Sequence, residues 1–330
     1  MKTLFITCYY YNDRYSWIAH KRKNSQNTAI PRTLEPWKVP IVRSRRPCCF
    51  RLRWVCLENA STTETVLGQG KNQIFRKGED KIAYDYFPGE LPTVLFLPGL
   101  SMNRHSAKGN ALEVACKIQK RAYLSADYYG IGRSSGDIRD GTVSRWTEDT
   151  VDLMDHLIPE GPVVLVGAGV GGWVALHVTL RRPQRIAGIV GVAPDPDFTQ
   201  DVLWPKLSDE VKNIIMKEGL YELPWGYRTY PISRNLIEDG KKMCLLQGSS
   251  GSIEIDCPVR IIHGLNDEEI PPQRALRLAD RLRSQDIVIS FVKSGGHTLE
   301  TEDDFQRMIS SVVELCKKSY TYDLSSPQSG

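Results

Sequence analysis

The chain has 330 residues, 41% hydrophobic and 25% charged, the make-up of an ordinary soluble globular protein with room for one large domain or two small ones. Its formal charge of +4 is uneven. Residues 1–57 hold twelve of the 43 Lys and Arg but only two of the 39 Asp and Glu, leaving 31 basic against 37 acidic residues beyond them. That balance argues against a nucleic-acid partner for the folded part, and no apolar run reaches the roughly 20 residues that span a bilayer.

The positive charge belongs to a leader, residues 1–70, containing "HKRKNSQNT" and "IVRSRRPCCFRLRW". Arg-rich, acid-poor and without periodicity, it suits an organellar transit peptide, with a basic tail in a cytoplasmic protein as the alternative. The opening "MKTLFITCYYY" is too short and too polar for a secretory signal. Four cysteines (Cys8, Cys48, Cys49, Cys56) fall in the leader; Cys116, Cys244, Cys257 and Cys316 are scattered without metal or disulfide-framework spacing.

From about Asn72 the pattern becomes regular. "NQIFR" and "KIAYDYF" predict adjacent strands joined by "KGED". "TVLFLP" (Thr93–Pro98) is a continuous apolar run, the mark of a strand buried on both faces. A helix near Ala107–Lys120, the strand "AYLSAD", a helix at about Ser144–Ile158 and the strand "PVVLV" follow. Next come a glycine-rich turn, a helix to about Arg182 and the strand "RIAGIVGV". Residues 195–250 break the alternation with one helix, "LSDEVKNIIMKEG", and a Pro/Gly-rich aromatic stretch, "LYELPWGYRTYP", with no strong strand. We read this as a helical cap over the carboxyl edge of the sheet, where ligands bind in such folds. "PVRIIHG" and "DIVISFV" predict two more strands with a helix near Gln273–Arg283 between them, and a last helix runs from about Glu302 to Lys318 before a polar tail, 319–330. The alternation predicts an α/β domain over 71–318, a mostly parallel sheet with helices on both faces.

The turn is "VGAGVGGW". Literally, Gly167–Gly172 fits the G-x-G-x-x-G dinucleotide fingerprint, with Asp195 after the next strand as the ribose-binding acid. Against this, prolines flank Asp195, and the fingerprint usually opens a sheet, whereas several strands come before it here. The turn also sits where a hydrolase carries G-x-S-x-G. In the chain order of that site, Asp267 in "HGLNDEEIPP" and His297 in "SGGHTLE" follow at strand ends, where an orienting acid and a base belong. Each residue has a plain alternative: Asp267 as the cap of a helix starting near Pro271, His297 as a loop histidine. His177 and His263 read as structural, and His105 stands equally well in the pocket or on the surface. The "PGLS" loop offers N–H groups near Leu100 and Ser101 to an oxyanion, with Val170 as the second donor.

These segments resemble the α/β-hydrolase superfamily: "FLPGL", "DYYGIGRSSG", "HGLNDEEIP" and "GGHTLE" stand in its order and spacing over about residues 72–318. "GGWVALH" and "LSDEVKNIIMKEGLYELP" are most similar to its mitochondrial branch that includes a palmitoyl-protein thioesterase also able to cleave acyl glucuronides. The resemblance implies serine-dependent hydrolysis of acyl thioesters or esters, carried on proteins or small molecules, without a cofactor or metal, and a mitochondrial address. Where that family has its serine, this chain has Gly169. Ala168 and Val170 are inert, and Ser134 and Ser135 lie in another loop. Activity is therefore expected to be impaired or lost. A non-catalytic acyl-binding or regulatory module, general-base chemistry by His297 with Asp267, and an error at residue 169 stand beside it. Oligomeric state is left open.

Overall fold

A computed structural model describes residues 68–325 apart from Tyr227; the basic leader up to residue 67, its four cysteines and the last five residues lie outside the described residues. Eight strands form one sheet: β1 (Gly70–Lys77), β2 (Asp80–Phe87), β3 (Glu90–Leu97), β4 (Arg121–Ala126), β5 (Val163–Ala168), β6 (Ile186–Val192), β9 (Val259–Gly264) and β10 (Ile287–Val292). Their order is β1-β2-β4-β3-β5-β6-β9-β10. The β1–β2 and β2–β4 pairs are antiparallel and the rest parallel.

The central strands read as continuous apolar runs because both faces are covered. Every residue of β5 is buried. Leu165 faces a core shared with Trp146 and Met154 of α2 (Val143–Leu157) and Trp173 of α3 (Val170–Arg181). Val164 and Val166 face the opposite core, with Leu112 of α1 (Ala107–Ile118) and Met308 and Leu315 of α7 (Glu302–Ser325). Helix starts follow side-chain capping: Ser106 accepts from the Gly109 N–H, and Thr142 accepts from the Arg145 N–H. α6 (Gln273–Arg281) packs against β10 at the edge of the sheet.

Two expectations need correction. The region 195–250 is not purely helical. Besides α4 (Asp209–Glu218) and α5 (Arg234–Lys242), it holds an antiparallel hairpin, β7 (Leu220–Trp225) and β8 (Arg228–Ser233). Pro224 and Pro231 hid it; in a two-stranded ribbon each strand is an edge, so a missing N–H is tolerated. The last helix also outruns Lys318 and reaches Ser325, the last described residue.

A buried ionic cluster ties the first loops together. Arg104 is 2% exposed and pairs with Asp85 at 3.0 Å and with Asp127, while the Asn72 side chain accepts from it at 2.7 Å. Asp127 also accepts from the backbone N–H groups of Arg104 and Arg133. The cluster fixes the "PGLSMNRH" and "DYYGIGRSSG" loops against β2 beside the carboxyl ends of the strands.

Candidate active site

The carboxyl ends of β3, β5, β6 and β9 and the cap hairpin surround a cavity of about 670 Å³, including its open mouth. Its floor is the turn between β5 and α3. Gly169 caps α3 with φ 53° and ψ −122°, a backbone state that costs a non-glycine residue about 1–3 kcal/mol. Its N–H donates to the Val192 carbonyl at 3.0 Å, and its carbonyl accepts from Gly172 at 2.9 Å.

The neighbouring glycines serve packing. A Cβ on Gly167 would strike the Gly171 backbone, one on Gly171 the Leu97 carbonyl, and one on Gly172 the Pro194 ring. The run is filled by the protein's own backbone, and Asp195 does not stand off as a ribose acid. It folds back onto the turn, its N–H donating to the Gly169 carbonyl at 3.3 Å. The dinucleotide reading fails on both counts.

Asp267 and His297 are brought together. His297 Nδ1 lies 2.9 Å from Asp267 Oδ2, which makes it the donor and leaves Nε2 facing the cavity. The plain reading of Asp267 is half true. Its Oδ1 accepts from the Glu269 and Ile270 N–H groups and so caps the local turn, while the helix beyond starts at Pro272 without a side-chain cap. One carboxylate thus fixes its own loop and holds the imidazole. His263, buried in β9, reaches Asp267 Oδ2 at 3.2 Å and the Ile270 carbonyl at 3.0 Å. Burial raises the Asp267 pKa, but hydrogen bonds from His263, His297 and the Ile270 N–H outweigh it and hold the carboxyl well below the usual range. For His297, burial favours the neutral ring, yet the Asp267 hydrogen bond and the charges of Asp267, Asp195 and Glu269 leave the pKa raised.

The position a Cβ would take on Gly169 is 3.9 Å from His297 Nε2 and 3.7 Å from Asp195 Oδ2. Leu100 and Val170 line the cavity, and the Val170 N–H belongs to the first turn of α3, where helix N–H groups lack internal partners. Ser101 is exposed, with φ 61°, and is not among the lining residues. Other candidates are elsewhere. His105 bonds Asp85 at 2.6 Å, and His177 bonds the Met243 carbonyl at 2.9 Å. The Ser134 and Ser135 hydroxyls bind backbone of the Asp127 loop and β2.

Several lining residues carried no signal for a hydrolase site in sequence. Glu269 accepts from the Tyr230 hydroxyl at 2.8 Å, tying the hairpin to the Asp267 loop. Trp225 stacks on Phe198 with ring centroids 6.1 Å apart. Lys108 pairs with Glu300 at 3.3 Å, and burial lowers its pKa despite that partner. Asp195 is 6% exposed, and burial pushes its carboxyl up to about 7 against the charges of His297 and Arg274. Among the described residues no cluster of three or more His, Cys, Asp or Glu fits a metal ion, and no helix is long and apolar enough to cross a membrane.

A parallel sheet with two antiparallel pairings at one side, a strand–glycine–helix turn and an acid–histidine pair on later strand ends define an α/β-hydrolase. Residues 92–235 match the family described as serine aminopeptidase, S33. The mitochondrial palmitoyl-protein thioesterase ABHD10 of Mus musculus is 34% identical over 245 residues, 73% of this chain and 80% of the relative. The solved structure of mouse alpha/beta hydrolase domain-containing protein 10 superposes with TM-score 0.67 at 32% identity, covering 74% of this chain and 98% of that one. A putative hydrolase from Agrobacterium vitis S4 gives TM-score 0.68 at 30% identity, over 74% and 96%. The chain belongs to the ABHD10 family of α/β-hydrolases.

Proposed function

We propose that residues 71–318 form a hydrolase domain whose cavity takes an acyl chain in thioester or ester linkage, on a protein or a small molecule, and that Gly169 stands at the nucleophile's place. His297 is the base or acid of this site, Asp267 orients it, and the Leu100 and Val170 N–H groups face the oxyanion. Without a hydroxyl at position 169 no acyl-enzyme forms there, so the serine-dependent route is lost and any turnover is weak. The observation that carries this reading is the place of Gly169. It lies at a positive-φ turn after β5, with its absent Cβ 3.9 Å from the free nitrogen of an aspartate-held histidine. The thioesterase relatives support an acyl thioester as the bond and the mitochondrion as the compartment, with the basic leader as a transit peptide.

Gly169→Ser tests it. There is room for the side chain, since the nearest atoms to a Cβ stand at ordinary contact distance. Hydrolysis of 4-nitrophenyl octanoate and of an octanoyl thioester is expected to rise on the order of 10²-fold or more, because the residual site alone works far below a complete triad. A fluorophosphonate probe should label the variant and leave the wild type unmodified. A folded variant that neither turns over nor labels would sink the assignment. Acyl binding without any wild-type turnover would make this chain a binding module.

A further inference from the structure

Three carboxyl groups line the cavity, and two already have work. Glu269 accepts from Tyr230, and Glu300 is paired with Lys108 and Arg228. Asp195 differs: its Oδ1 is buried with no hydrogen-bond partner among the described residues, and its Oδ2 is 3.7 Å from the Cβ position on Gly169. A buried carboxyl left unpaired is costly, so it persists only where the surrounding chain forces it.

The chain around it does so. Ala193 and Asp197, neither of them glycine, take φ 44° and 60° on either side. The Pro194 ring sits so close to Gly172 and Gly191 that a Cβ on either would collide with it. Arg274 donates to the Pro196 carbonyl and to Asp201, and the Asp197 carboxylate accepts from the Leu245 and Leu246 N–H groups. Asp195 is thus held beside the space that a side chain at position 169 would take.

We propose that Asp195 is a catalytic residue of this cavity, holding and deprotonating a water molecule that stands in for the missing side chain at Gly169 and attacks the acyl carbonyl. The proposal rests on the reading of the cavity as an acyl-hydrolase site. Asp195 Oδ2 and His297 Nε2 each lie within 4 Å of that one point, so an atom there contacts both. The water oxygen bonds to the acyl carbon, and its proton passes to the Asp195 carboxylate. The tetrahedral adduct, its oxyanion facing the Val170 N–H, collapses with breakage of the carbon–sulfur or carbon–oxygen bond. The departing thiolate or alkoxide takes the proton of protonated His297. Transfer of the Asp195 proton to His297 then restores the starting state, leaving one carboxylic acid and one thiol or alcohol. The two groups suit these parts: the carboxylates around His297 favour its protonated form, and burial lifts the Asp195 carboxyl to about 7, toward the range of a general base. The groups facing Asp195 are His297, Asp267 behind it, Arg274, and the Tyr128 and Tyr230 phenols.

Steady-state hydrolysis of 4-nitrophenyl octanoate and of octanoyl-N-acetylcysteamine by wild type, Asp195→Asn and Asp195→Ala tests this, with melting curves to confirm folding. Both variants should lose at least ~100-fold in kcat, with KM within about threefold, as removal of a general base predicts. The wild-type activity limb near pH 7 should vanish with them. Wild-type turnover matched by Asp195→Asn, a change in KM alone, or an acyl adduct on Asp195 in acid-quenched protein would each overturn the role of Asp195 and leave the acyl-hydrolase reading standing. Turnover by Gly169→Ser but none by wild type would do the same. No turnover by either would bring down both.

Discussion

The two walls of the cavity treat a buried carboxylate in opposite ways. On one wall Asp267 is surrounded by donors: two histidines and the Glu269 and Ile270 N–H groups. On the other, Asp195 is just as buried, yet one of its oxygens meets no donor. Burial raises the pKa of both; partners reverse the sign at Asp267, and their absence lets it stand at Asp195. Burial alone therefore does not say what an aspartate is for. The hydrogen-bond count does.

The contrast can be broken from the Asp267 side first. Asp267→Ala strands two buried histidine contacts and should cost about 3–5 kcal/mol in urea unfolding, the range for halving a buried ionic pair. Because its folded pKa is depressed, the stability Asp267 supplies is fully present above its unfolded pKa. It is lost as pH falls below about 4, so wild type and variant should converge in acid. A variant curve parallel to wild type down to pH 2 would contradict this.

Asp195→Asn should act with the opposite sign. The raised folded pKa of Asp195 means its ionisation destabilises the native state as pH climbs from about 4 through about 7. The amide should therefore raise thermal stability at pH 8 by up to a few kcal/mol and change little at pH 4. Loss of stability at pH 8 would show that the carboxylate has a partner after all. The smallest effect is expected where the walls meet the cap. Tyr230→Phe removes one hydrogen bond to Glu269 and should cost about 1–2 kcal/mol, with added mobility of the hairpin visible in hydrogen exchange.

Much of this was legible in the sequence. Strand–helix alternation follows from apolar runs such as Val163–Val166, and Asp267 and His297 stand at predicted strand ends. The cap hairpin was not legible, because Pro224 and Pro231 argue against a strand until its two-stranded context is known. Asp195 was visible only as the acid of the weaker dinucleotide reading. Its flanking prolines look like disruption in one dimension, whereas Pro194 is the residue that seats the loop on the glycines of the turn. The Tyr230–Glu269 and His263–Asp267 contacts depend on how separate segments fold back, which no local pattern encodes.

The seat of Pro194 has a wider consequence. Gly172 and Gly191 carry no side chain, do not line the cavity and would draw little notice in a mutational survey planned around it. Yet the Pro194 ring fills the space each leaves open, so even alanine at either position would push the loop away from the turn. Tolerance to mutation here should track the volume left vacant, and two of the least permissive positions in this domain are expected to be ones with no side chain to lose.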